Sequence, residues 1–156
     1  MPEVTRKRRV IIESPFQGDI ESHLNYARLA MLDSILMGEA PFVAHLLYTQ
    51  VLNDSDEEER KLGIGMGDDW VRAADAVAFY VDLGMSPGMM KLWDKLYHYK
   101  DGLRVPFEMR RVNYHAVSSV IWSGSDTVQP VRDTPTVLRP GQCSDTREPI
   151  RRARLI

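Results

Sequence analysis

Short apolar runs alternate along this sequence with longer segments in which apolar residues recur at helical spacing. Val10 to Ile12 is the first apolar run, and it is followed by a loop-forming sequence and then by a helical pattern that begins at Ile20. Parallel strands need a long connection, usually a helix, so this alternation favours βαβ units. We therefore predict an α/β fold of the flavodoxin or Rossmann type, with about five parallel strands flanked by helices.

The individual elements follow from apolar runs and from helix start and stop signals. Helices are predicted from Ile20 to Met37, from the acidic run after Asp54 to Ala74, and from Ser86-Pro87 to about Tyr99. The glycine-rich segment 63–67 is interpreted as a bend or break in the second helix. Strands are predicted at 10–14, 40–46, 76–82 and 103–111, with 114–122 as a candidate fifth strand.

The length of the chain indicates one domain. Its net charge indicates no strong electrostatic preference for a partner. The 156 residues suffice for a single core, which we place at 10–122, between a basic arm at 1–9 and an irregular Pro/Arg-rich tail at 123–156. A net charge of -2 gives no overall attraction to nucleic acid or to membranes. The arginines of the arm and tail suit nucleic acid, subunit contacts or simple solvation. We expect neither nucleic acid nor a membrane as partner.

The cysteine content points to a reducing compartment. Cys143 is the single cysteine in the sequence, so no internal disulfide can form, and no Cys/His spacing typical of a metal site is present. No stretch reaches transmembrane length and no secretory signal is recognisable. We predict a cytoplasmic protein that needs neither a metal nor a cofactor.

Four segments lie at the ends of predicted strands, at the junction between the second helix and its strand, or at the start of a predicted helix. They are Ile11-Ile12-Glu13-Ser14-Pro15-Phe16, Ala44-His45, the stretch 69–77 around Ala74-Asp75-Ala76-Val77, and the stretch 82–88 that ends in Ser86-Pro87-Gly88. In this order and spacing the segments resemble the nucleoside 2-deoxyribosyltransferase superfamily, which includes nucleotide N-glycosidases and several phage and bacterial families. The resemblance covers roughly residues 10 to 95 and implies a nucleotide-sized pocket.

The resemblance implies cleavage of the bond between a base and sugar C1′ by a carboxylate nucleophile. In the superfamily that carboxylate is a glutamate in the first turns of the helix that follows Ser86, and the matching residue here is Leu92. A leucine cannot attack an anomeric carbon. Glu13, at the end of the first strand, could replace the missing group from the opposite wall, or it could simply accept hydrogen bonds from loop amides.

The resemblance and the loop positions together give the remaining site residues. Asp68 and Asp69 match the place where relatives have a carboxylate that contacts the sugar, although a solvated helix end explains them as well. Of the two, Asp69 is taken as the second expected catalytic carboxylate. The expected substrate-binding residues are Ser14, Pro15, Phe16, His45, Asp82, Gly84, Ser86, Gly88 and Met89. Structural roles stay open for Ser86 as a helix cap, for His45 as a packed polar residue and for Asp82 as a strand terminator.

Three classes of function remain open at this point. The chain is an enzyme acting on the N-glycosidic bond of a nucleoside or nucleotide, an inactive nucleotide-binding or sensing module, or a phage assembly subunit. Carboxylates that converge beside Ser86 would favour the enzyme, whereas an apolar, filled cleft would favour the assembly subunit. Because relatives complete their pockets across subunits, the resemblance also implies a homo-oligomer.

Overall fold

The computed structural model describes residues 6–123, which form one parallel sheet with helices on both faces. The four strands are β1 (Arg9–Glu13), β2 (Ala40–Phe42), β3 (Ala76–Tyr80) and β4 (Phe107–Arg110). Their order is β2-β1-β3-β4, and every neighbouring pair is parallel. The predicted α/β class and flavodoxin-like arrangement are therefore confirmed, with four strands among the described residues where about five were expected.

Five α-helices connect and follow the strands. They are α1 (Ile20–Leu36), α2 (Ala44–Leu47), α3 (Glu57–Ala73), α4 (Pro87–Tyr97) and α5 (Tyr114–Ser123), and single 3₁₀ turns lie at Tyr48–Gln50 and Lys100–Gly102. Asp19, Asp56 and Ser86 cap the first turns of α1, α3 and α4 by accepting hydrogen bonds from backbone amides. These caps explain why the three helices begin close to where the sequence predicts.

The two-residue alternation of β1 distributes its side chains between two cores. Val10 and Ile12 pack with residues of α1 and α5, whereas Ile11 packs with residues of α3 and α4. The neighbouring strand β3 is buried on both faces, and all five of its residues are 0% exposed. Glu13 is next on the face of Ile11, so its carboxyl group leaves the sheet between α3 and α4.

Three predictions about local structure were wrong. The strand expected at 40–46 ends at Phe42, because Ala44 to Leu47 have no β-branched residue and form α2, which places His45 on a helix. The segment 114–122 forms α5 instead of a strand, since the Asn113 side chain accepts the Ala116 amide and starts a helix. Residues 63–67 continue α3 without a break, because tertiary packing and capping outweigh the cost of its glycines.

The basic arm is tied to the body by ion pairs as far as the structure describes it. Arg6 and Arg9 both pair with Asp75, at 2.6 Å and 3.3 Å. Hydrogen bonds from the Arg6 side chain and from the backbone and side chain of Arg9 hold the pKa of that carboxyl well below its usual range. Arg8 pairs with Glu39 and Glu108. Residues 1–5 and 124–156, including Cys143 and nearly all of the predicted tail, lie outside the described residues.

Two aspartates fix the start of α5 to the rest of the domain. Asp82 accepts hydrogen bonds from the Tyr26 hydroxyl at 2.7 Å and from the Val112 amide at 3.0 Å. Asp33 in the same way accepts from the Tyr80 hydroxyl at 2.7 Å and from the Asn113 amide at 3.0 Å. Each aspartate thus joins a buried tyrosine to the connection between β4 and α5.

We expect Asp82→Ala to lower the free energy of unfolding by about 2 to 4 kcal/mol, because it leaves a tyrosine hydroxyl and a backbone amide without their acceptor. Urea denaturation followed by circular dichroism measures the loss. Asp69→Ala is the matched control, since Asp69 lies on the surface with 76% of its side chain exposed. Equal stability of Asp82→Ala and the control would contradict the role given to Asp82.

Candidate functional site

A cavity of about 340 Å³ lies beyond the carboxyl ends of β1 and β3, on the face covered by α3 and α4. Its walls come from the loop after β1, from α2, from the inner face of α3 and from the first three turns of α4. In a sheet with strand order 2-1-3-4 the connections diverge between β1 and β3, and ligands of such folds bind at this point. The volume lies within the range of small-molecule sites.

Glu13 stands at the inner end of this cavity. It is only partly exposed, and within residues 6–123 its carboxyl group forms no hydrogen bond or ion pair. Burial raises the pKa of Glu13 to about 7, and the negative charge of Asp68 adds to the effect. Near neutral pH this carboxyl group therefore exchanges readily between its acid and its base form, as general acid–base groups do.

An ion pair in the cavity wall joins α3 to α4. The Lys95 ammonium donates to Oδ2 of Asp68 at 2.7 Å, and Oδ2 of Asp101 lies 3.7 Å from the same nitrogen. The side chains of Asp68 and Lys95 are 21% and 28% exposed. Asp68 thus has a cation as a direct partner, whereas Glu13 has none within residues 6–123, so these two acids sit in the same cavity in contrasting environments.

An aromatic pair forms another part of the wall. The rings of Phe16 and His45 stack with centroids 5.2 Å apart and an interplanar angle of 11°. Burial lowers the pKa of His45, which leaves its imidazole uncharged at neutral pH. A neutral imidazole can exchange hydrogen bonds with a polar ring edge but supplies no positive charge to a phosphate.

Ionic contacts line the opening between the β1 loop and α3. Arg60 pairs with Asp54 at 2.6 Å, and the Gln17 amide donates to the same carboxylate oxygen at 3.4 Å. The Glu59 carboxylate accepts the backbone amide of Asn53 at 2.6 Å. Lys91 also lines the cavity, and it forms no hydrogen bond or ion pair within the described part of the chain. Of the three cations on the wall, only Lys91 is not already paired with an acid.

The start of α4 combines a cap with an apolar surface. The Ser86 hydroxyl accepts the Met89 amide at 3.3 Å, and Gly88 has no side chain to cover the backbone at its position in the cavity wall. Met89 is 1% exposed and Leu92 is 8% exposed, and both pack into the core while contributing to the cavity wall. The position at which the resemblance implies a glutamate therefore carries a packed leucine.

The structure brings together only part of the expected site. The expected residues that line the cavity are Glu13, Phe16, His45, Ser86, Gly88 and Met89. Five others lie outside it: Ser14, Pro15, Asp69, Asp82 and Gly84. Asp69 is on the outer surface of α3, where it pairs with Arg72 at 3.0 Å.

The other four excluded residues have positions that explain their exclusion. Asp82 is engaged by Tyr26 and Val112, and Gly84 occupies a turn with a φ of 82°. Ser14 is 0% exposed and follows Glu13, so the alternation of β1 directs it away from the cavity. Pro15 is buried beside it.

Lys95 was not expected in the wall, and of the neighbouring acids Asp68 and Asp69 we expected Asp69 from the sequence. A signal for Asp68 was nevertheless present. Val71 is the one buried residue of α3, and the positions three and four residues before it are Asp68 and Gly67. Asp69, one residue further along, is rotated by about 100° away from that face.

Comparison with known proteins identifies a family for the chain and no individual relative. Residues 8–103 match a family described as a domain of unknown function, DUF7768. No match was found among curated proteins, and none among solved structures. Within residues 6–123, no helix is long and apolar enough to cross a membrane, and no group of three or more His, Cys, Asp or Glu residues could hold a metal ion.

We expect the stability of Glu13→Gln to exceed that of the wild type in a pH-dependent way. The folded protein raises the pKa of Glu13 from 4.5 to about 7, so folding favours the protonated form and stability is lost as the pH rises between these values. Glutamine mimics the protonated acid and avoids that loss.

The expected gain for Glu13→Gln is about 1 to 3 kcal/mol at pH 8 and close to zero at pH 4. Urea denaturation at both pH values measures it, with the exposed Glu21→Gln as the matched control. A gap of the same size at both pH values would argue that Glu13 is not buried as an acid.

Proposed function

The chain belongs to the DUF7768 family, a domain of unknown function, and on that premise we propose that it binds a nucleoside or nucleotide and cleaves or transfers its N-glycosidic bond. The proposal rests on the cavity at the carboxyl ends of β1 and β3 and on the resemblance of its loops to the nucleoside 2-deoxyribosyltransferase superfamily. The bond at C1′ is the proposed site of reaction, and Glu13 is the proposed catalytic residue.

The observation that carries the proposal is the Glu13 carboxyl group, buried in an open cavity without a hydrogen-bond partner among residues 6–123 and with a pKa near 7. Such a group costs stability, so its position calls for a functional reason. Asp68 lies in the same cavity, beside Ser86 and the start of α4. Most enzymes that cleave glycosidic bonds use two carboxyl groups in contrasting environments.

The rest of the wall supports recognition of a nucleoside. The Phe16 and His45 rings offer an aromatic surface and a neutral polar edge to a base. The Gly88 amide and the helix dipole at the start of α4, together with Lys91, favour a single negative group such as a 5′-phosphate. With Arg60 and Lys95 already paired to acids, the cavity offers little to a longer phosphate chain.

Binding without turnover is the second candidate, and Leu92 is the observation that favours it. That side chain lies at the position where the resemblance implies a glutamate and packs into the core. A pocket that binds its ligand without catalysis would not need a carboxylate there. An assembly role alone is less well supported, because the cleft beside Ser86 is open and contains several acids.

We expect Glu13→Gln to abolish release of free base from deoxynucleosides or their 5′-monophosphates while leaving ligand binding within about tenfold, or roughly 1.4 kcal/mol. Glutamine keeps the size of the side chain and removes the exchangeable proton. Base release is measured by liquid chromatography and binding by isothermal titration calorimetry. Glu21→Gln makes the same change at an exposed site and should match the wild type.

The outcomes of that experiment separate the two candidates. Wild-type protein that binds nucleosides and never releases base, with any acceptor supplied, would establish the binding module. Unchanged turnover in Glu13→Gln would show that another carboxylate acts on the bond.

We also propose a cytoplasmic homo-oligomer. Leu62, Met66 and Trp70 recur every four residues on α3 and are 50%, 43% and 48% exposed, which gives the helix an apolar outer stripe. Such a stripe suits burial against a second copy of the chain.

Sedimentation velocity at micromolar concentration should therefore detect a species larger than the monomer. Met66→Glu should shift the protein toward the monomer, because it introduces a charge into the apolar stripe. A wild-type protein that sediments only as a monomer would contradict self-association.

A further inference from the structure

Resting on the proposed function, we propose that Asp68 is the carboxylate that bonds covalently to the sugar, while Glu13 acts as the acid and base that serves the departing and incoming groups. The juxtaposition that suggests it is one cavity holding an acid beside a lysine and a second acid without a cation. This assignment moves the covalent role from the α4 position of Leu92 to α3, on the facing wall.

The surroundings of the two carboxyl groups assign their roles. Lys95 donates to Oδ2 of Asp68 at 2.7 Å, and no hydrogen bond to Oδ1 occurs within residues 6–123. An ionised carboxylate with one oxygen available is the form that attacks carbon. Glu13 has no such cation, and burial raises its pKa to about 7, so a large fraction carries the proton that a departing base requires.

The shape of α3 leaves room for a sugar next to Asp68. Gly67 precedes it on the cavity wall, and a side chain added there would meet nothing within 4 Å. Gly63, one turn earlier, also lines the cavity. The backbone of α3 is therefore bare on both turns that lead to Asp68, and a ring can approach the carboxylate from the open side of the helix.

The proposed reaction balances without any further reagent. Oδ1 of Asp68 forms a bond to C1′ as the bond between C1′ and the base nitrogen breaks, and that nitrogen keeps the electron pair and takes the proton of Glu13. The ionised Glu13 then takes a proton from water, or from an acceptor base, whose oxygen or nitrogen attacks C1′. The ester bond to Asp68 breaks and its electron pair returns to the carboxylate.

Trapping the covalent intermediate on the full-length wild-type chain tests the assignment directly. The probes are the 2′-deoxy-2′-fluoroarabinosyl forms of the four common nucleosides and their 5′-monophosphates, because fluorine at C2′ slows breakdown of a glycosyl ester. We expect an intact-mass increase of one fluorosugar and an adduct on tryptic peptide 62–72. That peptide contains both Asp68 and Asp69, so fragmentation must place the adduct on Asp68.

Variants provide a second readout. Asp68→Asn should lower base release by about a thousandfold or more, while Asp69→Asn, which changes the neighbouring exposed acid, should stay within about twofold. Asp68→Gly should recover turnover with azide, which attacks C1′ in place of the missing carboxylate and yields a glycosyl azide. Circular dichroism and thermal unfolding confirm that each variant is folded, and the adduct on the wild type does not depend on any variant.

The possible failures are distinguishable. An adduct on Glu13, or base release by Asp68→Asn within tenfold of the wild type, would overturn the role of Asp68 and leave the proposed function standing. Turnover by the wild type with no adduct on any carboxylate would also overturn it. Wild-type protein that releases no base from any of the natural nucleosides or monophosphates would remove the proposed function, and this assignment with it.

Discussion

The two-residue alternation of β1 at the centre of the sheet determines where the chemistry can lie. Val10 and Ile12 are committed to the core under α1 and α5, so Ile11 and then Glu13 must face α3 and α4. A shift of one residue in the pairing with β3 would turn Glu13 into the core under α1 and α5 and would exchange Val10, Ile11 and Ile12 between the two cores. The hydrophobic pattern that holds the sheet in register is thus also what aims Glu13 into the cavity.

The same arrangement explains the electrostatics of the cavity. Glu13 continues a row of apolar side chains, and this apolar surrounding raises its pKa, with Asp68 as the smaller cause. Asp68 comes from a helix that faces solvent along most of its length, and it meets Lys95 from the neighbouring helix. Glu13 is therefore surrounded by apolar side chains of the sheet, whereas Asp68 lies between two helices beside a lysine. This difference in position explains why their environments differ.

The parts of the fold that could be predicted are those with strong local signals. Asp19 and the pair Ser86-Pro87 mark helix starts by their chemistry, and the buried run from Ala76 has no alternative to a central strand. Residues 63–67 lack such a signal, because glycine weakens a helix without forbidding it. Whether α3 continues there depends on its packing against the sheet and α4. Such tertiary packing cannot be read from the local sequence.

Site residues could be predicted from the sequence where they lie at the end of a predictable strand. Glu13 follows a short β-branched run, so its place at the carboxyl end of β1 could be inferred without knowing any partner. Asp68 and Asp69 are adjacent on a helix whose glycines obscured the apolar face, and the choice between them required the rotation of α3 about its axis. Only the position of Val71 against the sheet fixes that rotation.

Leu92 departs from the residue that the resemblance implies, but this departure alone does not exclude the chemistry that the resemblance implies. A carboxyl group can act on C1′ from any wall that brings it within reach, since catalytic sets are defined by geometry and role and not by their order in the chain. Here α4 supplies Lys95, which donates a hydrogen bond to Asp68 on the facing helix, and it places no acid of its own in the cavity wall. Lys95 lies one turn beyond Leu92, so α4 presents a cation to Asp68 on α3 while its leucine packs into the core.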